Sequence, residues 1–422
     1  MATPARFTMK ATEPATGERI PLALHERMLG MYFNVTFALL FRGTKASPSA
    51  LAAAFAKVLN SYQVLSGRLT LQDGALSIVC NNEGVPLTHD VQAGAAPPFD
   101  APIPAALFDM AVDSVPTGED TGDAPMRVKV TDFDDAQVMA ISLNHGLCDA
   151  NGIGAFMAAW AEAFSGGEGR RSVNNDRVGM APPSPALGSP PLTPPEDVPA
   201  DHPWRKVRHL PEQCPSLERV PLASPVLFSA TKSAEECASL KARCVEAAAG
   251  EVSFVSTNDA LCAELAASLG LDGEHVPFGL LVDFRSAIGA EAVFGNMWTT
   301  VEVLARNSLA GAADVRQSLP VAQSPEFIRW NAGQGANMAW PGKLLLNTWT
   351  KAFKLADLAF ACAPSDVMLG APMLEQRMAM MAPAGVCYVI MLPQSDGGVK
   401  IVGVMPAAAV EKLTVTRVGG AA

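Results

Sequence analysis

The chain has 422 residues, of which 49% are apolar and 17% charged, and its formal net charge is −11. That length predicts two domains, because a single core stops growing beyond about 250–300 residues, and the apolar share excludes a disordered chain. The acidic balance argues against general nucleic-acid binding, which selects basic faces; an anionic ligand would need a local cluster of Lys and Arg.

Residues 1–19 read as a loose leader. PLALHERMLGMYFNVTFALLFRG, from Pro21, predicts a short helix or turn entering a buried strand that ends at Arg42-Gly43. Leu51, Ala54, Phe55, Val58 and Leu59 recur at helical spacing, so 49–60 is a helix. Pro48 stands at its start, where a missing N–H is harmless. Alternating runs on either side of Asp73-Gly74 predict a hairpin. Residues 93–124, rich in Pro, Gly, Ala and Asp, read as surface loop. MRVKVTDF and AQVMAISL predict a second hairpin across Asp134-Asp135, whose second strand delivers His145. A helix follows Asp149 to about Phe164, with Ile153, Phe156, Met157 and Trp160 on one face.

Beyond Ser165 the chain turns dense in Pro, Gly and Ser and loses its periodicity, which marks a connection between domains. We assign residues 1–178 to a first domain, 179–225 to the linker and 226–422 to a second domain. The second half opens with a strand, PVLFSATKS. An amphipathic helix, SAEECASLKARCVEAAAG, stops at Gly250. The next helix, VSTNDALCAELAASLG, takes Ser256 or Thr257 as its cap and ends at Gly270. VPFGLLVDFRSAIG is a buried strand running into Asp283 and Arg285, and Gly295-Asn296 turns into another strand. Residues 308–340 read as helix and loop, and LLLNTWTKAF as a strand entering irregular chain. A final hairpin turns at Asp396-Gly397-Gly398 before the helix AAAVEKL.

Eight cysteines, at 80, 148, 214, 237, 244, 262, 362 and 387, form no CxxC pair and suit neither zinc nor a disulfide framework. They read as reduced thiols of a cytoplasmic protein. The N-terminus has no signal-peptide core, and no stretch approaches the ~18 apolar residues of a membrane span. The six histidines are scattered without a paired motif, and no metal is expected. No phosphate-cradling glycine motif occurs either.

The chemistry concentrates in Ala140–Trp160. A histidine at the end of a buried strand, followed by small residues and an acid, is a candidate catalytic turn. A neutral imidazole near pH 7 suits proton abstraction. The bland alternative is a core histidine satisfied by a backbone carbonyl. Cys148 beside it raises a covalent Cys–His mechanism as a further option, although cysteines are often buried fillers.

Several separated motifs together resemble the BAHD family of coenzyme A-dependent acyltransferases, over about residues 20–415. His145-Gly146-Leu147-Cys148-Asp149 is similar to that family's HxxxD motif, and Gly152 and the Phe156–Trp160 helix extend the likeness. Upstream, LSGRL (Leu65–Leu69) and CNNEGVPL (Cys80–Leu87) agree with family segments; downstream, VDFRS (Val282–Ser286) and FGN (Phe294–Asn296) follow in order. Two departures stand out. Ala150 replaces the glycine after the acid, and the second signature, DFGWG, is degraded. It falls either on Asp366–Pro372, the preferred register, or on Asp357–Ala361.

The resemblance implies an α/β fold of two chloramphenicol acetyltransferase-like domains, each a mixed sheet with helices, and a tunnel at their interface. Part of about 357–392 is then expected to pack on the first domain. The implied activity is transfer of an acyl group from acyl-CoA to an alcohol, or less often an amine, of a small metabolite. His145 is the implied base. Asp149 is implied to turn from the channel and pair with Arg285, and Asn347, Thr348 and Trp349 to line the site. Asp366 or Asp357 takes a structural role. Acyl-CoA enters as co-substrate, with no resident cofactor, in a monomer. Two other readings share the fold: a condensation-like enzyme using a carrier-protein thioester, and a non-catalytic binding protein.

Overall fold

The computed structural model describes residues 4–72, 75–110, 122–180, 221–325, 327–328, 343–413 and 416–417. The first half supplies β1 (Ala5–Met9), β2 (Arg19–Pro21), β3 (Asn34–Phe41), β4 (Arg68–Gln72), β5 (Ala75–Val79), β6 (Val85–Val91), β7 (Met126–Asp132) and β8 (Gln137–Asn144). Its longer helices are α1 (Leu24–Tyr32), α2 (Pro48–Val58) and α3 (Ala150–Phe164). The second half supplies β9 (Pro225–Lys232), β10 (His275–Asp283), β11 (Trp298–Arg306), β12 (Leu344–Thr348), β13 (Asp366–Leu369), β14 (Cys387–Pro393), β15 (Val399–Pro406) and β16 (Thr416–Arg417).

Two mixed sheets organise these strands. One runs β1-β6-β7-β8-β3-β13 and the other β11-β10-β12-β14-β15-β9-β16, with β2-β5-β4 as a small third sheet. In the first, β13 comes from the second half of the chain and pairs antiparallel with β3, Val367 opposite Leu39. In the second, β12 lies parallel to both β10 and β14.

Strand periodicity explains how the two halves share a wall. Successive side chains of a strand face opposite sides. On β14, Cys387, Val389 and Met391 enter the second core, while Tyr388, Ile390 and Leu392 enter the first. On β12, Leu344 and Leu346 go one way and Leu345 the other. These uninterrupted apolar runs are buried on both faces, as expected of parallel neighbours in the interior of a sheet.

Helix boundaries follow local chemistry. Pro48 opens α2, and Ser256 caps the helix Thr257–Ser268 by accepting from the Asp259 N–H. Gly154 on α3 has a packing reason: a Cβ there would lie 2.0 Å from the Ala352 carbonyl oxygen. Only glycine lets α3 press against the chain leaving β12, which carries Trp349.

Two expectations need correction. The leader is not loose: β1 pairs with β6 along its length, and Met9 is buried. Its five residues, largely exposed on one face, are too short for a period-two signal. Nor is the 93–124 segment all surface, since Phe99, Ile103, Leu107 and Phe108 are buried beside β13 and Ile103 bridges Gly370. Its Pro and Gly content masked isolated anchors. The Asp73-Gly74 turn and most of the assigned linker, residues 181–220, lie outside the described residues.

Candidate active site

Every residue of β8 is buried, and the strand ends in a turn tied down through Asn144 and His145. Asn144 Oδ1 accepts from Gly146 N at 2.9 Å, and its Nδ2 donates to the Gly30 carbonyl at 2.7 Å. His145 N donates to the Phe33 carbonyl at 2.9 Å. Gly146 is tightly packed, since an added Cβ would meet Gly30 Cα at 3.0 Å. The turn therefore rests directly on α1.

Asp149 is the N-cap of α3 and accepts from Gly152 N at 2.9 Å. Its other oxygen accepts from Met297 N, also at 2.9 Å. Arg285 closes a fork on the same carboxylate, Nη2 to Oδ1 at 3.0 Å and Nη1 to Oδ2 at 2.9 Å. Arg285 also donates to the Val293 and Gly295 carbonyls and pairs with Asp283. Asp149 thus engages the loop between β10 and β11, and, against the expectation that it turns from the channel, it also lines the cavity that holds His145.

A second buried pair lies under the same turn. Glu26 and Arg177 are both fully enclosed, 3.3 Å apart. Glu26 receives the N–H groups of Ala23 and Asn296, and Arg177 Nη1 donates to the Gly146 carbonyl at 3.0 Å. Asn296, completely buried, donates from Nδ2 to the His145 carbonyl at 2.9 Å, and its own carbonyl meets His25 Nε2 at 2.8 Å.

His145 lines a cavity of about 1140 Å³ between the two halves. Its Nδ1 is enclosed and has no partner among the described residues, which leaves Nε2 to meet a ligand. Burial, then the positive charge of Arg377, holds the imidazole down at about 4, against smaller upward pulls from Asp149 and Asn296. The ring is therefore neutral at physiological pH.

Asn347, Thr348 and Trp349 line the same cavity. Asn347 Nδ2 reaches the Tyr388 hydroxyl at 3.4 Å, and the Thr348 and Thr350 hydroxyls are 3.0 Å apart. Trp349 stacks on Phe353, with ring centroids 5.5 Å apart, and its indole N–H has no partner among the described residues. Cys148 is buried outside the cavity lining, and burial pushes its thiol well above the usual range.

Neither acid of the degraded signature reaches the cavity. Asp366 begins β13 and binds the buried Lys400 ammonium at 2.6 Å. Asp357 is exposed on a short 3-10 turn, Leu355–Leu358.

Glu26, Arg177 and Arg377 are not singled out by sequence reasoning. Glu26 sits in the polar run His25-Glu26-Arg27, Arg177 lies at the edge of the Pro-rich break, and Arg377 follows Glu375 and Gln376 and precedes Met378. Each sits among other polar residues, so nothing local sets it apart.

A family model described as "Transferase family" matches residues 3–311. Taxadien-5-alpha-ol O-acetyltransferase of Taxus chinensis is 28% identical over 167 residues, covering 36% of this chain and 38% of that one. BAHD acyltransferase BIA1 of Arabidopsis thaliana is 23% identical over 184 residues, covering 42% and 41%. The chain therefore spans about two fifths of the length of these curated relatives. F. sporotrichioides TRI101, solved with coenzyme A and T-2, superposes with a TM-score of 0.66 at 14% identity, covering 94% of this chain and 96% of that one. That likeness speaks for the fold, and the family match over nearly three quarters of the chain speaks for descent: the chain belongs to the BAHD family of acyltransferases.

Proposed function

We propose that this protein moves an acyl group from acyl-CoA to a hydroxyl of a small metabolite, with His145 as general base. One observation carries the reading: a neutral imidazole, its backbone held by Phe33 and Asn296, lines a cavity large enough for two substrates. A related fold has been solved with coenzyme A and a small molecule together, which supports the same pairing here.

In this mechanism the acceptor hydroxyl oxygen attacks the thioester carbonyl while His145 Nε2 takes its proton. The tetrahedral intermediate carries negative charge on the former carbonyl oxygen. The Asn347 amide and Thr348 hydroxyl are the polar donors available beside it, with Trp349 walling the site. Collapse breaks the carbon–sulfur bond, and the imidazolium returns its proton to the departing thiolate, giving the ester and free CoA. Asp149 and Arg285 hold the turn rather than relay the proton. Asp366 acts structurally, through Lys400.

The seven described cysteines are all free, which supports a reducing, cytoplasmic setting. Release of CoA from acetyl-CoA, followed with a panel of alcohols, tests the assignment. Wild-type release with little from His145→Ala is expected; equal rates with every acceptor that reacts would remove His145 as base.

A further inference from the structure

Arg377 takes no proton and holds no reacting atom in the mechanism above; there its charge only helps to keep His145 neutral. It lies in the helix Ala371–Met381, 5% exposed, with its guanidinium over the Phe33 ring at 3.8 Å and 5.8 Å from the Tyr388 ring. Among the described residues it makes no hydrogen bond and no ion pair, and its Nε is enclosed without an acceptor. The other buried Lys and Arg among the described residues have carboxylates: Arg68 has Glu83, Arg177 has Glu26, Lys232 has Glu264, Arg285 has Asp149 and Lys400 has Asp366. Among the described residues Arg377 is the buried Lys or Arg that lacks a carboxylate.

A guanidinium keeps its proton in a protein. Buried without a counter-ion it is strongly unfavourable, and stacking on two rings offsets only part of that. Such a group persists where a ligand completes it. Arg377 lines the cavity that holds His145; of the carboxylates in that lining, Asp149 and Asp283 are held by Arg285, and neither they nor Glu291 makes an ion pair with Arg377.

We propose that Arg377 anchors a carboxylate carried by one substrate, either the acceptor or the acyl group. With one face stacked on Phe33, its N–H edge is left for a planar partner, which a carboxylate matches bidentately. The coenzyme's phosphates fit less well, because they lie a full pantetheine arm from a thioester reacting at His145. The inference rests on the acyl-transfer reading and narrows its substrates to acids.

The test has two arms. In the acceptor arm, 3-hydroxybutyrate, 4-hydroxybenzoate and 4-hydroxycinnamate are each compared with their methyl esters, using acetyl-CoA. In the donor arm, malonyl-CoA and succinyl-CoA are compared with acetyl-CoA and butyryl-CoA, using one neutral alcohol. Wild type is expected to prefer the acid in one arm by about 10- to 100-fold in kcat/KM, the size of a hydrogen-bonded charge contact. Arg377→Gln should erase that preference through KM, and Arg377→Lys should keep part of it.

No preference in either arm overturns the proposal, as does a preference that survives Arg377→Gln. A fall in kcat shared by acids and esters also overturns it, marking a residue that acts on the reaction's oxyanion. Thermal unfolding with the same pairs reads binding without turnover. If nothing reacts with wild type, the transfer reading fails alone. Acid-selective stabilisation lost in Arg377→Gln would still support the anchor, and its absence would overturn it. Without ligand, Arg377→Met should raise the unfolding temperature, since it removes an unpaired buried charge; a fall would show a structural cation instead.

Discussion

Arg285 grips both oxygens of Asp149, at 2.9 and 3.0 Å, across 136 residues of sequence. Those oxygens also accept the Gly152 and Met297 N–H groups, so the carboxylate is engaged in joining α3 to the β10–β11 loop. Both side chains are nearly buried. Removing one partner of such a pair leaves a desolvated charge, so Asp149→Ala should lower the unfolding free energy by about 3–5 kcal/mol. Urea unfolding reads this, with Asp149→Asn falling between. A variant that keeps its stability yet loses transfer would instead place Asp149 in the chemistry.

Glu26 and Arg177 form the counterpart under the other side of the turn, both with 0% side-chain exposure. Glu26→Gln and Arg177→Met should each destabilise, by about 3–5 kcal/mol where a full charge is left unpaired. The double variant should lose less than their sum, with a coupling of about 1–3 kcal/mol. Additive losses in the same urea series would show that each acts through its other contacts, the Ala23 and Asn296 N–H groups or the Gly146 carbonyl.

Much of this architecture was legible where periodicity is strong. The α2 and α3 helices and the β7–β8 and β14–β15 hairpins follow from apolar spacing and turn chemistry. What escaped was non-local. The five residues of β1 gain their place only by pairing with β6. Strand β13 is four residues long and finds β3 some 330 positions away. At the site, His145 and Asp149 stand out because strand, turn and helix are contiguous. Glu26, Arg177 and Asn296 converge from three distant segments, so only the folded chain makes them neighbours. Arg377 was invisible for a different reason: its meaning is the absence of a partner, which spacing does not report.

The environment of His145 sets a pH dependence. With His145 as the proposed base, neutral imidazole is the reactive form, so kcat/KM should stay level across neutral pH and fall as pH drops through about 4. An unperturbed histidine would lose activity through about 6.5. The sign follows from burial and Arg377, which both disfavour the imidazolium. His145→Ala should cost about 10²–10⁴-fold in transfer. A profile bending near 6.5 in wild type, measured where the fold is intact, would show an imidazole that meets bulk water and is not held as found here.

Cys148 provides the last discrimination, between direct attack and an acyl-enzyme. The thiol is 1% exposed and adjoins Asp149. Burial first and the Asp149 charge second push it up, outweighing the pull of Arg177 and Arg285, so it is not a thiolate at neutral pH. It is also absent from the cavity lining. Iodoacetamide at neutral pH should therefore leave transfer intact, and Cys148→Ala should keep activity within a few-fold, losing at most ~1 kcal/mol of stability for the small void. Intact-protein mass spectrometry after acetyl-CoA without acceptor should show no added acetyl group. An adduct on Cys148 that forms and decays at the turnover rate would overturn direct attack, because it would require the thiol to reach a thioester that this packing keeps away from it.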